Sequence, residues 1–447
     1  MTSSPAPVRL VADVVVTCDE RSTVYEPGAI DFDSTDGRIM WVGDANLVPD
    51  TPGIVTHDIG GVVLPGLVNT HAHTPMTLMR GAGDNLPLMR WLTEVMWPRE
   101  GRMTPDDAWW GMTLGSAEML LAGVTTSCEM YLFEEAVIDA ARASGARLMM
   151  TPGVLSVLHA DAFGMGSGRM DTIAEVHRNH HDATGRIRVG VAPHSAYDLG
   201  IERCGELAAL ARDLDTLLHI HLAETRDEAA ELEAANGGRR TVELLADAGV
   251  FEGQVLAAHC VWLDEADLAI LAEADVAVAH CPVSNMKLGS GAAPVAAMRA
   301  AGITVGLGTD GPASNDTLDL WEEVKLAPLL ARLTAHDPLA LSAGDALTMA
   351  SRAGAAALGM ETVGHLSPGA QADFVRLDPS HLAFSPVTNQ TELLAHLVWA
   401  GPSRRVTDVW VSGHQVVADG NCLTVDIEQA RHEVQRRAQR LASESGT

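Results

Sequence analysis

Between residues 67 and 311 the chain repeats one rhythm: a short apolar run of strand character, a loop, then an Ala/Leu/Glu-rich stretch of helical composition. Strands alternating with helices in this way are parallel strands joined by crossover helices. Eight strands are expected: Leu67 to His73, Gly123 to Tyr131, Ala146 to Val154, Ile187 to Ser195, Thr216 to Glu224, Gln254 to Leu263, Val276 to Asn285 and Thr304 to Gly311. Helices such as Asp106 to Ala122, Glu134 to Ser144, Ile201 to Leu214, Thr241 to Ala248, Asp264 to Ala274 and Ala293 to Ala301 fall between them. The fold class is therefore α/β, and eight β/α units close into a (β/α)8 barrel of the TIM type, whose active site lies at the C-terminal ends of the strands.

The two chain ends have a different texture. Leu10 to Thr17, Gly37 to Gly43 and Ile59 to Leu64 are β-rich runs broken by Asp, Gly and Pro, and the same texture returns in Ala372 to Leu377 and Val406 to Val417. One small β-sandwich formed from both ends is expected, with 1–64 and 366–447 as the composite domain and 65–365 as the barrel. From about Asp426 a C-terminal helix is expected, packing through Ala430, Val434 and Ala438.

Polar residues of metal-ligand type sit where the strands end. His71 and His73 are two apart, so on an extended strand both point to one face. A His-x-His pair arises by chance in a chain with 18 histidines. Here it is followed in order by His194, by His221 and Glu224, by His259 and by Asp310, each at or near a strand end, and random placement does not produce that series. Together they read as one metal-centred hydrolytic site. Three histidines and a carboxylate suit zinc, and also iron or manganese. His219, two residues before His221, is expected one layer deeper in the barrel, in a structural role.

Composition narrows the partners. Lys+Arg 30 against Asp+Glu 59 gives a net charge of −29, which opposes binding to nucleic acid or an anionic membrane, so a small-molecule substrate is expected. The six cysteines show no Cys-x-x-Cys pair, no secretion signal opens the sequence, and no long apolar run occurs, so a cytoplasmic protein is expected. Gly306-Leu307-Gly308-Thr309-Asp310-Gly311 matches the dinucleotide pattern Gly-x-Gly-x-x-Gly, but it lies on the last barrel strand and Asp310 would repel a pyrophosphate.

The stretch Leu64 to Gly81, with Ala192-Pro193-His194-Ser195, His221-Leu222-Ala223-Glu224-Thr225, Ala258-His259-Cys260-Val261, Ser284 to Gly289 and Leu307 to Gly311, resembles the amidohydrolase superfamily. Within it, the chain is similar to the methylthioadenosine/S-adenosylhomocysteine deaminase group. The resemblance implies a metal held by His71, His73, His221 and Asp310, with Glu224, His259 and Asp310 catalytic and ammonia released from an aminated purine nucleoside or related ring. It implies Glu100 as the acid that binds ribose hydroxyls and His194 as a contact to the base, and it suggests an oligomer, since relatives are commonly dimers or larger. Two-metal relatives use a carboxylated lysine; the only lysines are Lys287 and Lys325, neither on a middle strand, so one divalent ion, zinc first, is expected. Trp91, Trp97, Met76, Met79, Met89 and Met96 belong either to an apolar pocket or to the core.

Relatives that deaminate S-adenosylhomocysteine carry an arginine just after strand 3, where this chain has Pro152; a second family arginine could correspond to Arg169, although the loop Leu158 to Met170 looks longer here. The rival expectation within the same superfamily is a guanine, pterin or triazine aminohydrolase or chlorohydrolase. A non-catalytic scaffold is a remote alternative, since no ligand is missing.

Overall fold

The computed structural model of the chain describes residues 7–156, 167–400 and 405–443. Most of the loop from Leu158, with Gly164 and Gly166, lies outside them.

Eight parallel strands form the barrel: β1 Leu67–Ala72, β2 Val124–Tyr131, β3 Arg147–Val154, β4 in two pieces (Ile187–Val189 and Ala192–Pro193), β5 Leu218–Leu222, β6 Val255–His259, β7 Ala277–His280 and β8 Val305–Leu307. They run in the order β4-β3-β2-β1-β8-β7-β6-β5, and bridges Val191–Leu218 and Ser195–His221 close the ring. The strands are buried on both faces, as parallel strands covered by helices must be. Helices begin where side chains can cap them: Thr104 with Asp107 and Asp264 with Asp267 form reciprocal capping boxes.

Several strands end earlier than expected, β6, β7 and β8 the most. β7 stops at His280 because Pro282, lacking an N–H for the ladder, opens the helix Pro282–Lys287, and Asn285 rides on that helix. β6 stops at His259, where the backbone turns left-handed at His259 (φ 71°) and Cys260 (φ 50°).

The chain ends build two sheets. One has the order Ile39–Asp44, Gly28–Asp33, Pro7–Ala12, Val55–Asp58. In the other, Val62–Pro65 from the N-terminal side pairs antiparallel with Phe374–Leu377 from the C-terminal side. Phe32, Phe374 and Trp410 meet in the core between the sheets, with ring centroids 5.6 Å and 4.9 Å apart.

A buried ion pair ties sheet to barrel. Arg147, at the start of β3, donates through Nε and Nη2 to Asp373 at 2.7 and 3.1 Å, and through Nη1 to the Gly185 carbonyl at 3.0 Å. Both side chains are almost fully buried. The C-terminal helix Ile427–Ser443 forms as expected, but its buried stripe is Ala430, Val434, Arg437 and Leu441, with Ala438 only half-buried. Arg437 takes the inward place because Asp106, Asp107 and the face of Trp110 receive its guanidinium.

Removing one partner of a buried pair strands the other charge, at about 3–5 kcal/mol. Arg147→Met should therefore lower unfolding stability by roughly that amount in denaturant titrations, and Arg147→Met with Asp373→Leu should recover most of it. Equal loss in the single and double variants would show that Arg147 acts by packing instead.

Candidate active site

The C-terminal mouth of the barrel gathers the residues that the strand ends put forward. His71 comes from β1 and His73 directly follows it; His221 comes from β5, His259 ends β6, and Asp310 follows β8. The ligand atoms of His71, His73 and His221 all lie within 4.8 Å of one another, and so do those of His71, His259 and Asp310. Asp310 and His259 both have positive φ (60° and 71°), a conformation that costs non-glycine residues about 1–3 kcal/mol and clusters at functional sites. The glycines beside Asp310 make room rather than cradle a phosphate: a Cβ on Gly308 would lie 2.8 Å from the His71 Cβ, and one on Gly311 would lie 2.8 Å from the Met76 sulfur.

Each imidazole is held from behind. His73 Nδ1 donates to the Met130 carbonyl (2.6 Å), His221 Nδ1 to the His194 carbonyl (2.8 Å), and His259 Nδ1 lies 2.9 Å from Asn285 Oδ1. The Nε2 atoms of His71 and His73 face Asp310 Oδ1 at 3.3 and 3.2 Å. His71 Nε2 is fully buried yet makes no aligned hydrogen bond. Asp310 Oδ2 accepts from Ser284 Oγ (2.6 Å) and Ser314 Oγ (2.8 Å).

The electrostatics suit a cation. Burial pushes His71 down to about 3 and pushes His221 well below its ordinary value, leaving neutral imidazoles with free lone pairs. Burial also works against a charged His73, but the Asp310 carboxylate outweighs it and raises His73 to about 9. Burial disfavours the Asp310 anion, yet the two imidazoles hold its carboxyl well below the usual range. An orphaned lone pair, neutral imidazoles and one ionised carboxylate around a common centre are the donor set of a divalent metal such as zinc.

Glu224 stands beside this centre, its Oε2 3.8 Å from His259 Nε2, and burial raises its pKa. Glu228 accepts from the Glu224 and Thr225 amides and is pushed up to about 8 by burial and by Glu224. Above the centre opens a small cleft. His73, Glu100, His194, His221, Glu224, His259 and Asp310 line it, and its walls are apolar. Met76, Trp91 and Trp97 face the cleft, Met79 and Met96 are buried core, and Met89 is half exposed. His194 Nδ1 lies 3.2 Å from Ser195 Oγ and 3.5 Å from Asp198, and burial lowers its pKa.

Arg169 is buried but does not line the cleft; it pairs with Glu134 and donates to the Gly153 carbonyl at 2.9 Å. Pro152 is absent from the wall as well, although its neighbour Gly153 is part of it. Tyr131, Leu132, Leu155, Tyr197 and Leu288 line the cleft and were not singled out from sequence; a lone apolar or tyrosine residue near a strand end carries no signal separating wall from core. Asn285, Ser284 and Ser314 were also missed as supports, since only the folded chain brings them to His259 and Asp310. Lys287 bonds to Asp316 and the Ala313 carbonyl.

The pattern of the amidohydrolase family matches residues 62–416. The chain belongs to the amidohydrolase family. A 5-methylthioadenosine/S-adenosylhomocysteine deaminase of Pelotomaculum thermopropionicum is 42% identical over 435 residues, covering 96% of this chain and 97% of that one. A 5′-deoxyadenosine deaminase of Methanothermobacter thermautotrophicus is 39% identical, covering 86% and 88%. Among solved structures, an adenosine deaminase from Xanthomonas campestris with bound zinc superposes with a TM-score of 0.90 at 31% identity, covering 98% and 99%. This amidohydrolase is accordingly a hydrolytic enzyme acting on C–N bonds, with His/Asp groups able to hold zinc. No helix among its described residues is long and apolar enough to cross a membrane.

A proton held on His73 must leave when a cation arrives. Zinc added to the metal-free protein at pH 7 should release at least about one proton per ion, and below about pH 9 the apparent affinity should fall as pH falls, up to about tenfold per unit. Calorimetry in buffers of different ionisation enthalpy reads the release; none at pH 7 would remove the centre from His73. His71→Ala should abolish tight zinc retention, and elemental analysis should find one equivalent per wild-type chain.

Proposed function

We propose that this amidohydrolase removes the 6-amino group of an adenine nucleoside, converting it to the hypoxanthine nucleoside and ammonia. The observation that carries this reading is the cleft. Its floor joins Glu224, His259 and Asp310 to the candidate metal centre, its walls are apolar and aromatic, and a buried acid, Glu100, stands on one side. The three similar proteins described above are all named as deaminases of an adenosine or an adenosine derivative.

His71, His73, His221 and Asp310 would hold the ion, which when bound lowers the pKa of water and so supplies hydroxide at neutral pH. Asp310 accepts the proton of the attacking water. His259, held by Asn285, orients the water oxygen toward C6. Glu224 carries a proton to the ring nitrogen beside C6 and then to the departing amine, which cannot leave as the amide ion. A raised Glu224 pKa favours this exchange by letting the carboxyl hold and return a proton. Glu100 accepts from ribose hydroxyls, His194 contacts the base, and Trp91 covers it. Arg169, committed to Glu134, is left out of the substrate contacts.

The 5′ side is read from charge. Among the described residues the lining includes neither Lys nor Arg, and the sequence of 157–166 contains none. Six free cysteines support a cytoplasmic setting, and we expect a homo-oligomer, which sedimentation would check.

Glu224→Gln should keep fold and zinc but lose at least about 10²-fold in kcat, measured by ammonia release, because it removes proton transfer and no ligand. Near-wild-type turnover would overturn the shuttle. Adenosine, 5′-deoxyadenosine and methylthioadenosine should each show higher kcat/KM than S-adenosylhomocysteine, since a charge-assisted contact to the missing carboxylate partner is worth about 1.5–3 kcal/mol. No turnover of any adenine compound, with ammonia released from guanine, pterin or triazine rings, would overturn the nucleoside reading.

A further inference from the structure

Three of the imidazoles at the centre have the proton on Nδ1 settled by their nearest neighbour. A carbonyl oxygen, which only accepts, faces Nδ1 of His73 and of His221, and Asn285 Oδ1 faces Nδ1 of His259. Nε2 is thereby the nitrogen each turns to the centre, and on His73 it becomes a lone pair when a cation displaces the second proton. His71 differs: its Nδ1 faces another imidazole, His219 Nε2, at 2.8 Å, and either nitrogen can be the donor. The direction is decided two residues further on. His219 Nδ1 lies 3.0 Å from Thr151 Oγ1, and Thr151 Oγ1 lies 2.8 Å from the Glu129 carbonyl oxygen.

We propose that Thr151 and His219 are positioning residues that fix His71 in the tautomer presenting a bare Nε2 to the metal centre. The Glu129 carbonyl accepts the only hydroxyl hydrogen of Thr151. Thr151 Oγ1 must then accept from His219 Nδ1–H. His219 is fully buried and its ring nitrogens contact no carboxylate, so it is neutral and has no second proton. Its Nε2 is bare and accepts from His71 Nδ1–H, which leaves His71 Nε2 as the unpartnered lone pair 3.3 Å from Asp310. The chain His71 to His219 to Thr151 to Glu129 runs one way only. A competing donor is at hand: Cys128 Sγ lies 3.5 Å from His219 Nδ1. Without the Thr151 hydroxyl, the thiol can donate to Nδ1, His219 carries its proton on Nε2, and His71 is driven to hold its own proton on Nε2, where it blocks the metal.

This inference rests on reading His71 as a ligand, and the test separates the two. The full-length chain, labelled with ¹⁵N in its histidine rings, is compared as wild type, Thr151→Val and Thr151→Ser. Zinc affinity is measured by chelator competition, and ring ¹⁵N resonances are recorded on the zinc-free protein, with the His71 signals assigned by their loss in His71→Ala. Thr151→Val, of nearly the same shape, should bind zinc about 10–100-fold more weakly, and His71 Nε2 should move from the pyridine-like to the pyrrole-like region. Thr151→Ser, which keeps the hydroxyl, should match wild type in both. An unchanged affinity and spectrum in Thr151→Val would overturn the relay, and so would an equal loss in Thr151→Ser, which would mark a packing effect. If His71→Ala retains zinc, the ligand reading falls, while the zinc-free spectra of the Thr151 variants still decide the relay.

Discussion

The Asp310 carboxylate, buried at the barrel mouth against two imidazoles, is the interaction on which the rest of the site depends. An isolated ionised carboxylate is costly to bury, and the hydroxyls of Ser284 and Ser314 solvate only one of its oxygens. The other oxygen accepts from the Gly311 amide (2.8 Å) and faces Nε2 of His71 and of His73, where a proton on His73 or a metal ion supplies the balancing positive charge. The local backbone follows from this demand. Asp310 takes a left-handed conformation to turn inward, and Gly308 and Gly311 stand where any Cβ would strike His71 or crowd Met76 and His73. A motif with the spacing of a dinucleotide fingerprint is thus accounted for by the close approach of β8 to β1.

Neutral imidazoles are useful ligands only if the correct nitrogen is bare, and the barrel supplies that condition mainly from its own backbone. The carbonyls of Met130 and His194 belong to the ends of β2 and β4 or the residue just beyond, and the curl of the barrel points them at the next ring. His71 sits deeper, on the inner side of β1, where no carbonyl faces its Nδ1. There the second histidine of β5 fills the layer below, which is why His219 and His221 share one face of the strand two residues apart. What looked like a structural histidine in the sequence is structural in a directed sense, because it transmits a hydrogen-bond polarity.

Much of this was legible before the fold. The eightfold rhythm, the barrel and the sheet from both chain ends follow from apolar runs, turn residues and their order. The convergence of His71, His73, His194, His221, Glu224, His259 and Asp310 follows from polar residues lying where the strands stop. Legibility fails where meaning comes from three-dimensional partners. Arg437 belongs on the buried stripe of the last helix because Asp106, Asp107 and Trp110 wait there, whereas pattern alone preferred Ala438. Asn285 looked like the end of a strand, but Pro282 begins a helix that carries it to His259. Arg169 has the residue type of a substrate clamp and is engaged by Glu134 instead.

The same electrostatics that call for a cation at the floor argue for what the cleft excludes. Glu100, Glu129, Glu224 and Glu228 are all buried around or beside it, and burial raises each of them toward its neutral form. A metal and the histidines would balance Asp310, and the other described residues of the lining are apolar, tyrosine or acidic. A substrate bearing a carboxylate or phosphate would lose its hydration on entering and meet no guanidinium or ammonium in return, and the net charge of −29 makes even the approach unfavourable. An uncharged nucleoside avoids both costs. In the proposed reading it would offer its apolar faces to Trp91, Trp97 and Leu155, its hydroxyls to Glu100, and its reactive carbon to the floor. Selection against anions therefore requires no dedicated repulsive residue; it follows from building the walls without a cation and placing the carboxylates where only a neutral molecule can satisfy them.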